Sequence, residues 1–192
     1  MTVKHLKHDD CVLEFGGSIG RNSCVINTIL SDKTKHVVVE PSTRELNTLL
    51  KNRERNKLGF LVENSAISDV QLYSKVWNTY DTPVNGSVPV KCITYDVFKK
   101  KYNLPFNVIV IDSEGSFVNT MKTSPDILDN IRMIIMEHDF ITEDDYEYFK
   151  RTLVIKGYKC KYVYLKKEQY GPGMNWCDGL KSDPIFVSVW KS

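Results

Sequence analysis

The sequence predicts an α/β fold, a doubly wound, seven-stranded and mainly parallel sheet with helices on both faces. Three observations lead there. Continuous β-branched runs, such as residues 36–40 and 107–112, read as strands buried on both faces. Between such runs lie segments with apolar residues three and four apart, the spacing of a helix face. The last two apolar runs are joined by a glycine-rich loop and no helix, which predicts an antiparallel hairpin at the sheet edge.

The elements follow in order. Residues 11–15 form the first strand, and Gly16, Gly17 and Gly20 turn the chain into a helix over 20–30, with Val25, Ile26, Ile29 and Leu30 on one face. Residues 36–40 form the second strand. Pro41 and Ser42 punctuate it before a helix over 43–57, whose apolar face is Leu46, Leu49 and Leu50. Residues 60–67 read as the third strand. The rhythm breaks over 70–95, where partial alternation and the turn cluster at 82–86 predict two short antiparallel strands on the periphery. A short helix over 95–102 precedes the fourth strand at 107–112. A poor helix over 116–128, with Pro125 near its end, leads to the fifth strand at 131–138. Thr142-Glu143-Asp144-Asp145 opens a helix with acids that complement its dipole, and Gly157 stops it. Residues 158–165 and 184–190 are the two terminal strands.

Composition narrows the function. The chain has 192 residues, read as one domain over 1–192, with 42% hydrophobic and 26% charged residues. A net charge of +2 gives no strong field toward nucleic acid or membrane. No run approaches the roughly 20 apolar residues of a membrane span. The N-terminal residues lack the apolar core of a secretion signal. Five cysteines without zinc spacing point to a reducing, cytoplasmic setting.

Ligands of doubly wound sheets bind at the carboxyl ends of the strands. Those ends here carry Gly16-Gly17-Ser18, then Glu40, then Asn64-Ser65-Ala66, then Asp112-Ser113-Glu114-Gly115, then Glu137-His138-Asp139. The turn is neither a dinucleotide fingerprint nor a phosphate loop, because its glycines are wrongly spaced and Arg21-Asn22 follows Gly20. It fits acidic–x–Gly–x–x–x–Gly. Glu40, 20 positions after Gly20, is placed to accept hydrogen bonds from both hydroxyls of a ribose.

These segments resemble one known family. Glu14-Phe15-Gly16-Gly17-Ser18-Ile19-Gly20, Val39-Glu40-Pro41-Ser42, Asn64-Ser65-Ala66-Ile67-Ser68-Asp69 and Ile111-Asp112-Ser113-Glu114-Gly115 are similar, in register and in order, to the FkbM family of class I S-adenosylmethionine-dependent methyltransferases. The resemblance covers about residues 11–140, and Val110 stands where that family has lysine. It implies a Rossmann-like sheet of strand order 3-2-1-4-5-7-6 with the last strand antiparallel. It implies S-adenosylmethionine as cofactor, held by Glu14, Gly16, Gly17, Ser18, Gly20, Asn22, Glu40, Pro41, Ser42, Ser65, Ala66 and Asp112. It also implies O-methylation of a small hydroxylated acceptor, a sugar, a lipid or another metabolite.

Methyl transfer asks mainly for alignment of oxygen, methyl and sulfur, plus a group that takes the acceptor proton. The candidate catalytic residues are Asp112, Glu114 and His138. Mg²⁺ on Asp112 with Glu137 or Asp139 is an alternative way to lower the hydroxyl's pKa. The loop over 169–179, carrying Tyr170, Met174 and Trp176, is expected to wall the acceptor pocket. With no substrate-binding segment ahead of the first strand, a homodimer is expected to complete that pocket. A catalytically inert, methyltransferase-like binding module is the competing class. A nucleic-acid methyltransferase is disfavoured by the near-neutral charge and by the lack of Asp/Asn-Pro-Pro-aromatic after strand four.

Overall fold

The first strand is β1 (Val12–Phe15), buried along its whole length. A computed structural model of the chain describes residues 4–75, 78–165 and 185–192. After β1 come α1 (Arg21–Ile29), β2 (His36–Val39), α2 (Thr43–Arg55) and β3 (Leu61–Glu63). Five short strands follow: β4 (Ala66–Ile67), β5 (Leu72–Lys75), β6 (Asn78–Tyr80), β7 (Val88–Val90) and β8 (Cys92–Ile93). Then come α3 (Tyr95–Tyr102), β9 (Val108–Ile111), α4 (Phe117–Thr123), a 3-10 turn (Pro125–Leu128) and β10 (Met133–Glu137). The chain ends with α5 (Glu143–Ile155), β11 (Lys159–Leu165) and β12 (Ile185–Lys191).

The main sheet has seven strands in the order β3-β2-β1-β9-β10-β12-β11. Its first five strands are parallel, and β12 runs antiparallel to both of its neighbours. Counting only these seven strands along the chain, the order is 3-2-1-4-5-7-6, with the seventh strand reversed, as expected. The labels differ because five short strands lie between the third and fourth.

Alternation along β1, β2, β9 and β10 sorts their side chains into two cores. Leu13, Phe15, Val37, Val39, Ile109, Ile111, Ile134 and Met136 pack with Phe98, Phe117, Met121, Phe149 and Trp190. On the other face Val12, Val108, Val110, Met133 and Ile135 pack with Ile26 of α1 and with Leu30 just after it. The β-branched composition of these strands suits burial on both faces of a pleated surface.

Local chemistry explains the helix boundaries. Ser42 caps α2 by accepting from the Glu45 N–H, Thr94 caps α3 by accepting from Val97 N–H, and Thr142 caps α5 by accepting from Asp145 N–H. α1 differs, since Gly20 is its N-cap and no side chain caps it. Its first N–H groups therefore face the glycine turn without an internal partner from a capping side chain.

Three expectations change in detail. The predicted third strand over 60–67 divides into β3 and β4, because Asn64 turns away and its Nδ2 donates to the Glu40 carbonyl at 2.8 Å. The periphery holds more than two strands: β6-β5-β7 form an antiparallel sheet, and β4 pairs with β8 in parallel. The predicted helix over 116–128 stops at Thr123 and resumes as a 3-10 turn with Pro125 leading.

Two remote segments tie the amino ends of the strands together. Asp10, buried, accepts from Arg132 Nε at 2.9 Å on one oxygen and from a second guanidinium nitrogen on the other. Lys7 N–H also donates to it at 2.7 Å. No helix among the described residues is long and apolar enough to cross a membrane.

Candidate functional site

The carboxyl ends of β1, β2 and β9 meet at the glycine turn. Gly16 takes φ +85°, and its N–H donates to the Val39 carbonyl at 3.0 Å. A Cβ on Gly16 would lie 1.6 Å from the Asp112 carbonyl oxygen, and one on Gly17 would lie 2.4 Å from Val38 Cγ1. These glycines therefore let the turn close on the protein's own β9 and β2. Ser18, next in line, holds φ +44°, a left-handed conformation that a non-glycine residue adopts only where its surroundings enforce it.

What holds Ser18 there is Glu40. Its Oε2 accepts from the Ser18 N–H at 2.6 Å, and its Oε1 accepts from the Ser42 N–H at 2.7 Å. The side chain thus clasps the turn after β1 to the turn after β2. Burial pushes the Glu40 carboxyl up from its ordinary range, and the Ser42, Ser18 and Gly17 N–H groups pull it back. A carboxylate has about four acceptor positions, so capacity remains for further donors.

Beside this clasp lies a group of acids. Asp112 follows β9, with its N–H donating to the Phe15 carbonyl at 2.9 Å. Asn22, in the first turn of α1, reaches Asp112 Oδ2 at 3.5 Å. Asp112 and Glu137 are hydrogen-bonded to each other through their side chains, so they share a proton. Burial and the neighbouring acids push Glu137 up to about 9, and burial raises Asp112 as well. Asp139, whose Oδ2 accepts from the Ser113 N–H at 3.2 Å, is raised to about 7 by burial and then by Glu114. Glu114 sits at φ +52° just before Gly115.

These shifts give a pH dependence of known sign. Above about pH 4 the folded chain keeps protons that the unfolded chain releases, on Asp139 up to about 7 and on Glu137 up to about 9. Their contribution to stability is complete below about pH 4 and is lost as the pH rises through about 7 for Asp139 and about 9 for Glu137. Thermal melts of the wild type from pH 5 to pH 9 should show a falling Tm, and Glu137→Gln should flatten the fall. A wild-type Tm that rises over that interval would contradict the placement of these acids.

The other expected site residues divide by burial. Pro41 and Ser42 lie at the tip of β2, and Gly20 opens α1, all around the clasp. Ala66 lies within β4. Glu14 does not open onto the clasp. It is 1% exposed, with its Oε2 2.9 Å from His36 Nε2 on the face covered by α1. Ser65 is fully buried and donates to Glu63 Oε1 at 2.7 Å. Glu63 also accepts from Lys101 at 2.6 Å and from the Tyr102 hydroxyl at 3.1 Å, a completed network that ties β3 to α3. His138 is buried, and its Nε2 lies 2.8 Å from Ser188 Oγ on β12, to which Trp190 Nε1 also donates at 2.8 Å. Through that nitrogen the ring joins the end of β10 to β12.

Sequence reasoning missed His36, Glu63 and the support that Asn64 gives Glu40. His36 opens a strand and carried no signal of its own, since only the parallel register brings it to Glu14. Among the described residues no group of three or more His, Cys, Asp or Glu side chains stands ready to hold a metal ion. The expectation of Mg²⁺ at Asp112 with Glu137 or Asp139 thus finds no support, and the Asp112–Glu137 contact gives the reason: those oxygens engage each other. The expected acceptor wall at 169–179, with Trp176, lies outside the described residues.

No family model matches the chain. The hexuronic acid methyltransferase AglP of Haloferax volcanii is 22% identical over 145 residues, which are 71% of this chain and 59% of that protein. The chain thus spans less than two thirds of this relative's length. Among solved structures, Sp1610 of Streptococcus pneumoniae, a candidate tRNA (m1A22) methyltransferase, superposes with TM-score 0.57 at 11% identity, covering 98% of this chain and 66% of that one. It has also been crystallised with S-adenosylmethionine. An O-methyltransferase of Bacillus cereus in complex with S-adenosylhomocysteine gives TM-score 0.53 at 16% identity, over 94% of this chain and 73% of that one. An rRNA methylase of Streptococcus thermophilus gives TM-score 0.56 at 8% identity, over 98% and 90%. At such identities the likeness shows the fold, which is the Rossmann-like fold of methyltransferases.

Proposed function

We propose that the chain is an S-adenosylmethionine-dependent methyltransferase that methylates an oxygen of a small hydroxylated acceptor. The observation that carries the reading is the clasp of Glu40 across the turns after β1 and β2, at the point where strand order reverses. The residues present suit the cofactor. Glu40 keeps acceptor capacity for ribose hydroxyls, and the uncapped start of α1 offers N–H groups. Asp112 and Glu137, with no ion pair to Lys or Arg among the described residues, offer negative charge to a sulfonium or an ammonium. When bound, the cofactor supplies an already activated methyl group.

Gly16, Gly17, Ser18, Gly20, Asn22, Glu40, Pro41, Ser42, Ala66 and Asp112 are the proposed cofactor set, with Glu14 and Ser65 supporting the strands beneath it. Asp112 and Glu114 are proposed to face the acceptor. With Glu137 holding the proton it shares, Asp112 is the group best placed to accept the proton that an acceptor hydroxyl gives up. His138 orients β10 against β12. The AglP likeness supports a sugar-like acceptor. The described cysteines, Cys11, Cys24, Cys92 and Cys160, are free thiols, which supports a reducing, cytoplasmic setting. The expected homodimer has no support in the described residues.

Calorimetric titration with S-adenosylhomocysteine, followed by transfer of labelled methyl to a panel of sugars, hexuronic acids and RNA, tests the reading. One binding site and transfer to a small acceptor are expected. Transfer to RNA alone would move the reading to the nucleic-acid class represented among the solved neighbours. Binding with transfer to nothing would favour the inert module, and absence of binding would remove the cofactor.

A further inference from the structure

We propose that the outward face of α2 is a docking surface for an acidic glycan, a chain of sugars that carries carboxylates and bears the acceptor hydroxyl. The surface is a stripe of positive charge, and the choice of a glycan as its occupant rests on the sugar-acceptor reading above.

Helical spacing builds the stripe. At about 3.6 residues per turn, Arg44, Thr48, Lys51 and Arg55 fall within about 60° of one another around α2. All four are exposed, and Arg44 keeps 87% of its side chain in solvent. The far side of the helix faces the sheet, where Leu49 is sealed with Val38 and Phe60. Asn47, on the flank of the stripe, is exposed as well. From Arg44 to Arg55 the stripe runs about 16 Å at the helical rise. It starts just after Ser42, the cap whose N–H donates to Glu40, so one end adjoins the clasp.

An ordinary solvated helix face mixes signs. Elsewhere this chain pairs surface cations with acids: Lys99 with Asp96 and Asp126, Lys122 with Asp145, Lys150 with Glu147 and Lys156 with Asp129. Lys51 and Arg55 have no such partner among the described residues, and Arg44 pairs only with its neighbour Glu45, at 3.4 Å. Glu54, the one exposed acid of α2, stands about a quarter turn to the side. Lys51 and Arg55, four apart, repel each other. Arg44 sits in the first turn, where the helix dipole disfavours a cation, so the dipole accounts for Arg55 alone.

A row of anions supplies what this row of cations lacks. Carboxylates match the guanidinium fork, and sugar hydroxyls match the Asn47 amide and the Thr48 hydroxyl. α2 carries no aromatic residue, whereas a nucleic-acid strand calls for π faces under its bases. An anion rich in hydroxyls and free of bases is an acidic glycan.

Fluorescence anisotropy with a labelled hexamer of galacturonic acid, run without cofactor, tests the surface. The hexamer should bind, more weakly as salt rises, and the triple variant Arg44→Gln, Lys51→Gln, Arg55→Gln should weaken it about tenfold. Uncharged maltohexaose and a single-stranded oligouridylate should each compete less well than unlabelled hexamer. The affinity of the triple variant for S-adenosylhomocysteine should stay within about twofold of the wild type, because no stripe residue belongs to the clasp. Lys51→Glu alone changes one exposed side chain and should weaken the hexamer about fivefold, so it reads the stripe even if the triple variant folds poorly. No binding of the hexamer, a loss below about twofold in both variants, or tighter binding of maltohexaose or oligouridylate would overturn the proposal. A wild type that binds the hexamer but not S-adenosylhomocysteine would overturn the cofactor reading and leave the docking surface standing.

Discussion

Gly16→Ala is expected to destabilise the fold by about 4–5 kcal/mol, a large share of what a domain of this size possesses. Two penalties combine. The added Cβ falls 1.6 Å from the Asp112 carbonyl oxygen, and φ is +85° at that position. The obstacle is backbone, so no side-chain rotation relieves it. Asp112 N–H is bonded to the Phe15 carbonyl, and β9 is locked between β1 and β10, so a retreat of the Asp112 peptide would break the central pairing. Urea denaturation should show a midpoint far below that of the wild type. Stability within about 1 kcal/mol of the wild type would mean that the turn does not close on β9 as described.

Glu40→Ala is expected to weaken S-adenosylhomocysteine binding by about 2–4 kcal/mol, roughly 30- to 1000-fold. Part of that is direct, through the ribose hydroxyls that the carboxylate would accept. Part is indirect, because the Ser18 N–H and Ser42 N–H lose their partner, and Ser18 loses a bond that holds it at φ +44°. Glu40→Gln separates the two. An amide retains one acceptor oxygen but presents an NH₂ to one of the two N–H donors, so it should fall between alanine and the wild type. Calorimetry giving wild-type affinity in the alanine variant would remove Glu40 from the cofactor site.

The main sheet was legible because each parallel strand carries its own signal. Val37, Val38 and Val39, or Val108 to Ile111, leave no polar face to turn outward, and nothing but a strand covered on both sides accepts such a run. Glu40 was legible for a related reason, since the first charged residue after such a run must stand at the edge of the sheet. Residues 66–93 were less so. β4 and β8 are two residues each, and their partners lie far along the chain, so composition says little about which short segment pairs with which. Glu14 was misplaced because a motif records the residue type and not the face. Only the alternation along β1, set by Leu13 and Phe15 facing the larger core, turns its carboxylate under α1. His36 could not have been found, because its role exists only once β2 lies beside β1.

The central position of β1 bears on how the chain is born. β1 has one neighbour close in sequence, β2, but its other neighbour begins at Val108, and the Cys11 N–H bonds to Asn107 Oδ1 across 96 residues. A ribosome releases the chain from its amino end, so one whole edge of the middle strand waits without a partner until β9 has been synthesised. During that wait Val12 to Phe15 present an apolar strand with an open row of N–H and C=O groups, the kind of surface that other nascent chains add to. The strand order that puts the proposed cofactor site at the reversal point thus also makes this region the last part of the β1–β2–β9 core to close.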